Sequence, residues 1–380
     1  MAKNGFLIFD SDMHIMEPPD LWQRYIDERY KSAAPVGITS ENVRDLRISW
    51  PDLAKIADGT GAGGTTINRR GHNYEKNQVL YKEHSSRGWD SYCQLEAMEA
   101  EGIDVAVMFP SRGLSVLTRP DIDAGLGAAI ARAYNDWMYD FCSVDPNRMF
   151  GAGMISVYDI NDAVAEARRA VQELGFKAVF VRSNVVNGRN WHDAWYDPLW
   201  ETLQELDVPI GFHEASGSMS KQAGEHFDNF MLRRVYAQPF EQMMGLGSFV
   251  GGGVLERHPD LRVAFLEANC AWIPWLLWRI EEMHELELDA YMPELQESPI
   301  ELFKRQCWVS IEPDEDPARY AIDYIGNDQL VFSTDYPHGD SRYPNAVTAF
   351  LELDITDEDK RKILWDNCAR FYKVEAPVPV

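Results

Sequence analysis

No run of about 18 apolar residues occurs anywhere in the 380-residue chain, so a membrane-spanning helix is not expected. Basic residues are scarce. Lys and Arg number 36 against 61 Asp and Glu, a formal charge of −25. That balance excludes the electropositive footprint of a nucleic-acid-binding surface and any attraction to anionic lipid. Cysteine is sparse as well. Cys93, Cys142, Cys270, Cys307 and Cys368 are odd in number, far apart and never in a CxxC pair, which points to reduced, buried thiols rather than a disulfide scaffold. Met1–Asp12 turns acidic before an apolar signal segment could form, so a cytoplasmic location is expected. No GxGxxG follows the first apolar run, which removes a dinucleotide-binding reading. Gly251-Gly252-Gly253 has no Lys-Ser/Thr behind it and no strand before it. A packing or helix-bending role is expected there instead of phosphate binding. There is no internal repeat, low-complexity tract or linker, so residues 1–380 read as one domain.

What is present is an alternation of short apolar runs and amphipathic stretches. Phe6–Phe9, Val105–Phe109, Met149–Ile155, Ala178–Val181, Val208–Phe212, Val263–Leu266, Trp308–Ile311 and Leu330–Phe332 have strand length without polar alternation. That is the pattern of parallel strands buried on both faces. Helical periods lie between them, at Ile122–Val144, Ile160–Leu174, Pro198–Leu206, Ile273–Leu288 and Pro317–Ile325. Asp159 or Asn161 is placed to cap the second, and Gly175 to close it. Eight strands with intervening helices predict a (β/α)8 TIM barrel, with an open doubly wound sheet as the alternative. Residues 18–93 break the rhythm after the first strand. Insertions of this length are usually functional or disordered. This one, with Gly59–Gly64, Arg69-Arg70 and several aromatics, is read as a lid over the barrel mouth or a subunit contact. The chain is expected to form a homo-oligomer, a dimer.

Barrel enzymes place their chemistry at the C-terminal ends of the strands, and four strands end in potential ligands. Asp12 and His14 share a face at the end of the first strand, because residues i and i+2 of an extended chain point the same way. His213 ends the fifth, Glu267 the sixth and Asp335 the eighth. Each has a plainer reading: a core histidine, an Asx turn before Pro337, or an ion pair of Glu267 with Arg279 or another arginine. Four strand ends together point to a divalent metal, because mixed imidazole and carboxylate ligands suit zinc, manganese and iron. Arg182 and His192, at and after the fourth strand, are candidates for binding a substrate carboxylate or phenolate, and Glu312 after the seventh is a further substrate-binding candidate. His258 faces the opposite, stabilising end. His72, His84, His226 and His284 read as surface or packing residues, and the Trp272–Trp278 cluster as helix packing.

In order along the chain, Asp12-x-His14, Tyr196-Asp197-Pro198-Leu199-Trp200 with Val208–His213, Leu255–Arg262 and Ser333-Thr334-Asp335-Tyr336-Pro337-His338 resemble the amidohydrolase superfamily. The specific likeness is to its amidohydrolase-related branch, which includes aminocarboxymuconate semialdehyde decarboxylase-like proteins. The resemblance implies a metal-dependent hydrolase or non-oxidative decarboxylase acting on a small carboxylated or cyclic organic substrate. It implies Asp12, His14, His213 and Asp335 as metal ligands. One departure stands out: the sixth strand of the decarboxylases ends in a proton-handling His, and here the position is Glu267. Glu267 is therefore read either as the catalytic acid/base or as a further ligand. In the latter case Glu214, Glu312 and the catalytic candidate His338 could build a second metal position. The alternative function is then a dinuclear non-heme Fe/Mn oxygenase. One or two metal ions (Zn, Mn or Fe) are expected per chain.

Overall fold

A computed structural model describes residues 3–52, 73–213, 223, 227–291, 295–339 and 341–376. Eight parallel strands form its centre: β1 Phe9–Ile15, β2 Val105–Pro110, β3 Met149–Met154, β4 Ala178–Arg182, β5 Ile210–His213, β6 Val263–Leu266, β7 Cys307–Ile311 and β8 Leu330–Phe332. They are hydrogen-bonded in that order. β8 closes on β1 through side chains: Ser11 Oγ donates to Phe332 O at 2.8 Å, and Ser333 Oγ donates to Asp12 O at 3.0 Å. The architecture is the expected (β/α)8 barrel.

Seven strands lie within a residue or three of their apolar runs. β1 does not. The expected run, Phe6–Phe9, only leads the chain in beneath the barrel, where Ile8 N donates to Asp104 Oδ2 at 2.9 Å. The strand itself reads Phe-Asp-Ser-Asp-Met-His-Ile and is buried throughout. Burying that many polar groups is costly unless each finds a partner. The facing β8 end supplies several, among them Thr334 Oγ1, which donates to Asp10. The ladder slips between Asp10, opposite Ala106, and Met13, opposite Met108. This bulge inserts one extra residue and re-aims Asp12.

The outer layer includes α1 Ser91–Glu101, α2 Ala124–Cys142, α3 Ile160–Gln172, α4 Asp197–Glu205, α5 Phe230–Val250, α6 Ile273–Tyr291, α7 Pro299–Gln306 and α8 Ala318–Ile325. Asp159 caps α3 by accepting from Asn161 N and Asp162 N. α5 is not among the expected helices; Pro239 stands inside it, where a proline ordinarily argues against a continuous helix. Gly252 bears out the packing role: a Cβ there would sit 2.4 Å from His192 Cβ and 2.3 Å from Ser248 O. The Trp272–Trp278 expectation holds only in part. Trp272 is buried, whereas Trp275 and Trp278 are exposed. All five cysteines are free and buried. Among the described residues no helix is long and apolar enough to cross a membrane.

Between β1 and α1 the described residues form short helices at Leu21–Tyr25, Tyr74–Leu80 and Lys82–Ser86. A two-stranded ribbon pairs Val36–Gly37 with Ile48–Ser49. They reach the C-terminal rim of the barrel: Arg44 Nη1 donates to Pro337 O at 2.6 Å, and Arg112 Nη2 donates to Ile38 O at 3.3 Å. Gly59–Gly64, Arg69-Arg70, His72, Glu214 and His226 lie outside the described residues.

Candidate metal centre

The barrel brings together side chains that are far apart in sequence. His14 Nε2 lies 3.1 Å from His213 Nε2, 3.5 Å from Asp12 Oδ1 and 3.4 Å from Asp335 Oδ1. His213 Nε2 lies 3.2 Å from Asp12 Oδ2 and 3.4 Å from Glu267 Oε2. All five side chains are buried. Two overlapping donor sets result, Asp12–His14–His213 and His14–Glu267–Asp335–His338. Two carboxylates sit where the chain leaves its strand in a left-handed turn, with φ of +54° at Glu267 and +53° at Asp335. Non-glycine residues held this way are strained and concentrate at functional sites.

A supporting layer fixes the inward atoms. His14 Nδ1 lies 2.7 Å from Pro110 O. It donates there, which leaves the Nε2 lone pair facing the cluster. His338 Nδ1 is 2.7 Å from Asp335 Oδ1, and its Nε2 is 3.0 Å from Ser111 Oγ. Gln238 Nε2 donates to Glu267 Oε1 at 2.7 Å, and Glu267 N donates to Ser310 Oγ at 3.0 Å. Gln242 Nε2 donates to Phe212 O at 2.7 Å and Leu266 O at 2.8 Å, tying the ends of β5 and β6 together.

The electrostatics suit a cation. Burial alone would raise the Asp12 carboxyl, but His213 and His14 beside it outweigh that and hold it below its ordinary value. Burial, with His338 next in effect, pushes His14 well below the usual imidazole range. Burial does the same to His338, helped by His213, Arg44 and Arg234. The neutral imidazole is the ligating form. Neither oxygen of Asp12 accepts a hydrogen bond. A buried carboxylate without a donor is costly unless a cation offsets it. The donor set therefore fits a divalent metal.

Three candidates read from the sequence fall differently from this cluster. Arg182, beside His213 in the ladder, is buried. Its Nε donates to Asn184 Oδ1 and its Nη1 to Leu114 O, both at 2.7 Å. Glu312 follows β7, where its N–H donates to Glu315 Oε2 at 3.4 Å. The structure does not bring His192 to the site. It is exposed and lies 3.4 Å from Ser248 Oγ on the outside of α5, because Gly252 leaves room for it there. Arg279 pairs with Glu282, not with Glu267. His258 is structural, held between Gln204 and Asp197.

Other contributors to the site are not marked by the sequence pattern. Ser111 carries the one available signal, a polar residue ending an apolar strand. Gln238 and Gln242 lie mid-helix, and Arg44 lies far upstream in the segment after β1. No spacing links them to the strand ends.

A parallel eight-stranded barrel with an imidazole–carboxylate cluster at its mouth defines a (β/α)8 protein with a metal-binding site. The chain belongs to the amidohydrolase family, whose model it matches over residues 10–374. A 2-amino-3-carboxymuconate-6-semialdehyde decarboxylase of Dictyostelium discoideum is 25% identical over 261 residues, 68% of this chain and 69% of that one. An amidohydrolase structure from Mycobacterium avium subsp. paratuberculosis K-10 superposes with a TM-score of 0.73 at 23% identity, over 97% of this chain and 98% of that one. A 5-carboxyvanillate decarboxylase from Novosphingobium aromaticivorans DSM 12444, complexed with manganese and 4-hydroxy-3-methoxy-5-nitrobenzoic acid, superposes with a TM-score of 0.68 at 20% identity, over 98% and 97%.

Proposed function

We propose that this chain is a metal-dependent, non-oxidative decarboxylase of a small aromatic or cyclic carboxylate. The observation that carries the reading is the convergence of Asp12, His14, His213, Glu267 and Asp335 on one buried point at the barrel mouth. The decarboxylases similar to this chain support it, as does the manganese in one of their structures. Asp12, His14, His213 and Asp335 would hold the ion, with manganese, zinc and iron all compatible with the donors. When bound, the ion supplies Lewis-acid polarisation of a substrate oxygen.

The remaining work falls to the chain. Breaking the bond between ring carbon and carboxylate releases carbon dioxide and leaves an electron pair on that carbon, which must take up a proton. Two groups are placed to handle it. Glu267 lies 3.4 Å from His213 Nε2 and is held in place through Gln238. His338, backed by Asp335 and Ser111, can pass a proton between ring nitrogen and substrate. The positive charge that depresses His338 comes in part from Arg44 and Arg234. Both are suited to drawing an anionic substrate into the mouth of a strongly acidic protein. The described residues of the segment 18–93, within the single domain 1–380, carry Arg44 to the rim at Pro337, which supports reading the segment as a cover.

Hydrolysis on the same residues is the second reading, and the product separates the two. Incubation with a panel of hydroxybenzoates and carboxylated phenols should release carbon dioxide and, in D2O, leave deuterium on the former carboxyl carbon. Turnover that consumes dioxygen, with about two metal ions per chain including iron, would favour the dinuclear oxygenase instead.

A further inference from the structure

The loop after β2 is bound to a buried carboxylate. Glu17 stands two residues beyond β1 and is 1% accessible. Its Oε2 accepts from Ser111 N at 3.2 Å and from Arg112 N at 2.9 Å. Its Oε1 accepts from Gly113 N at 2.7 Å. Three successive backbone N–H groups thus converge on one side chain, in the manner of an anion nest. Gly113 permits the approach: a Cβ there would lie 2.9 Å from Glu17 Oε1 and 2.6 Å from Pro110 Cβ. Arg112 also holds the junction, its Nη1 donating to Glu17 O. Burial raises the Glu17 carboxyl above its ordinary value, although the N–H groups of Gly113 and Arg112 and the Arg112 charge pull it down. A buried carboxylate is costly, and turns ordinarily close through backbone hydrogen bonds without one.

We propose that Glu17 is a positioning residue for the reaction, setting Ser111 against His338. The inference rests on the proton-handling role given to His338 above. Two imidazoles of the site lean on the end of β2. His14 Nδ1 lies 2.7 Å from Pro110 O, and His338 Nε2 lies 3.0 Å from Ser111 Oγ. The two rings stack with centroids 3.9 Å apart. Their two contacts with β2 are secured differently. Pro110 is still within the ladder, opposite Ile15. Ser111 is the first residue beyond the strand, and its N–H is held by Glu17. Loss of the nest therefore loosens Ser111, and His338 with it. His14 keeps its carbonyl partner, so the metal ligands stay in place.

Glu17→Gln in the manganese-loaded enzyme tests the inference. The amide cannot accept from all three N–H groups, because its nitrogen is itself a donor. kcat should fall about 10-fold, with KM and metal content unchanged. In a Ser111→Ala background the same substitution should cost less than about 2-fold, because the two side chains act through one contact. Losses that multiply in the double variant overturn the inference, as does a Glu17→Gln enzyme with the wild-type kcat. So does a loss confined to KM or to metal content. If Glu17→Gln does not fold, Glu17→Asp, whose charge stops one carbon short of the loop, goes through the same cycle with the same expected result. A crystal structure of the variant tests the placement without any turnover. Ser111 Oγ should lie beyond hydrogen-bond reach of His338 Nε2, with His14 still on Pro110 O, and an unchanged Ser111–His338 contact overturns the inference. A wild type that decarboxylates no compound of the panel contradicts the proposed function alone, and the variant's crystal structure then decides the placement.

Discussion

The Nε2 atoms of His14 and His213 face each other at 3.1 Å across 199 positions of sequence. His14 Nδ1 is 2.7 Å from the Pro110 carbonyl, which assigns its proton to the far nitrogen and leaves the Nε2 lone pair facing His213. An imidazole lone pair held against a second imidazole in a buried site, with Asp12 oxygens 3.5 Å from His14 and 3.2 Å from His213, makes an arrangement that a cation stabilises.

Asp12→Ala, His14→Ala, His213→Ala and Asp335→Ala should each lose bound metal and at least about 100-fold in activity, because on the proposed function each would remove a direct ligand rather than a supporting contact. Elemental analysis paired with circular dichroism checks this. Native spectra with unchanged metal content in all four would show the site to be misassigned.

Glu267→Gln keeps the shape and removes the charge. Full metal content with most turnover lost assigns proton transfer to Glu267, and loss of one ion of two assigns it as a ligand. If neither changes, Glu267 is structural and takes no part in the chemistry.

Ser111→Ala should lower activity by about 10-fold with metal retained, since it removes the hydroxyl that orients His338 without touching the metal ligands. Loss of metal from this variant would contradict the assignment.

Arg44→Ala should raise KM for an anionic substrate about 10-fold and leave kcat within a factor of a few, if Arg44 draws the substrate in and takes no part in the chemical step. Steady-state kinetics across a range of ionic strengths measures both effects. A kcat loss without a KM change would move Arg44 into the reaction itself.

Gly252→Ala should destabilise the fold by about 1–3 kcal/mol, because the added methyl collides with backbone and with His192. Urea unfolding measures it, and a neutral result would mean that the loop after β4 yields easily.

The barrel is legible because strands buried on both faces are written as apolar runs, and Val105–Phe109 or Leu330–Phe332 can be read directly. β1 escapes that reading for the opposite reason. Its polar residues are tolerated only because β8, more than 300 residues away, supplies partners such as Thr334 and Ser333. The strand-end candidates His213, Glu267 and Asp335 are legible because a polar residue closing an apolar run has no packing purpose. Gln242 and Arg44 are not, since their roles come from tertiary placement alone. His192 misleads because it follows Arg182 closely in sequence, while the chain carries it outward onto α5.

Everything proposed for the chemistry rests on a divalent ion held by the strand-end side chains. Anomalous diffraction from crystals grown with manganese can locate it. A strong anomalous peak is expected about 2.0–2.3 Å from Asp12, His14, His213 and Asp335. Ordered density for these side chains with no anomalous scatterer among them would contradict the assignment.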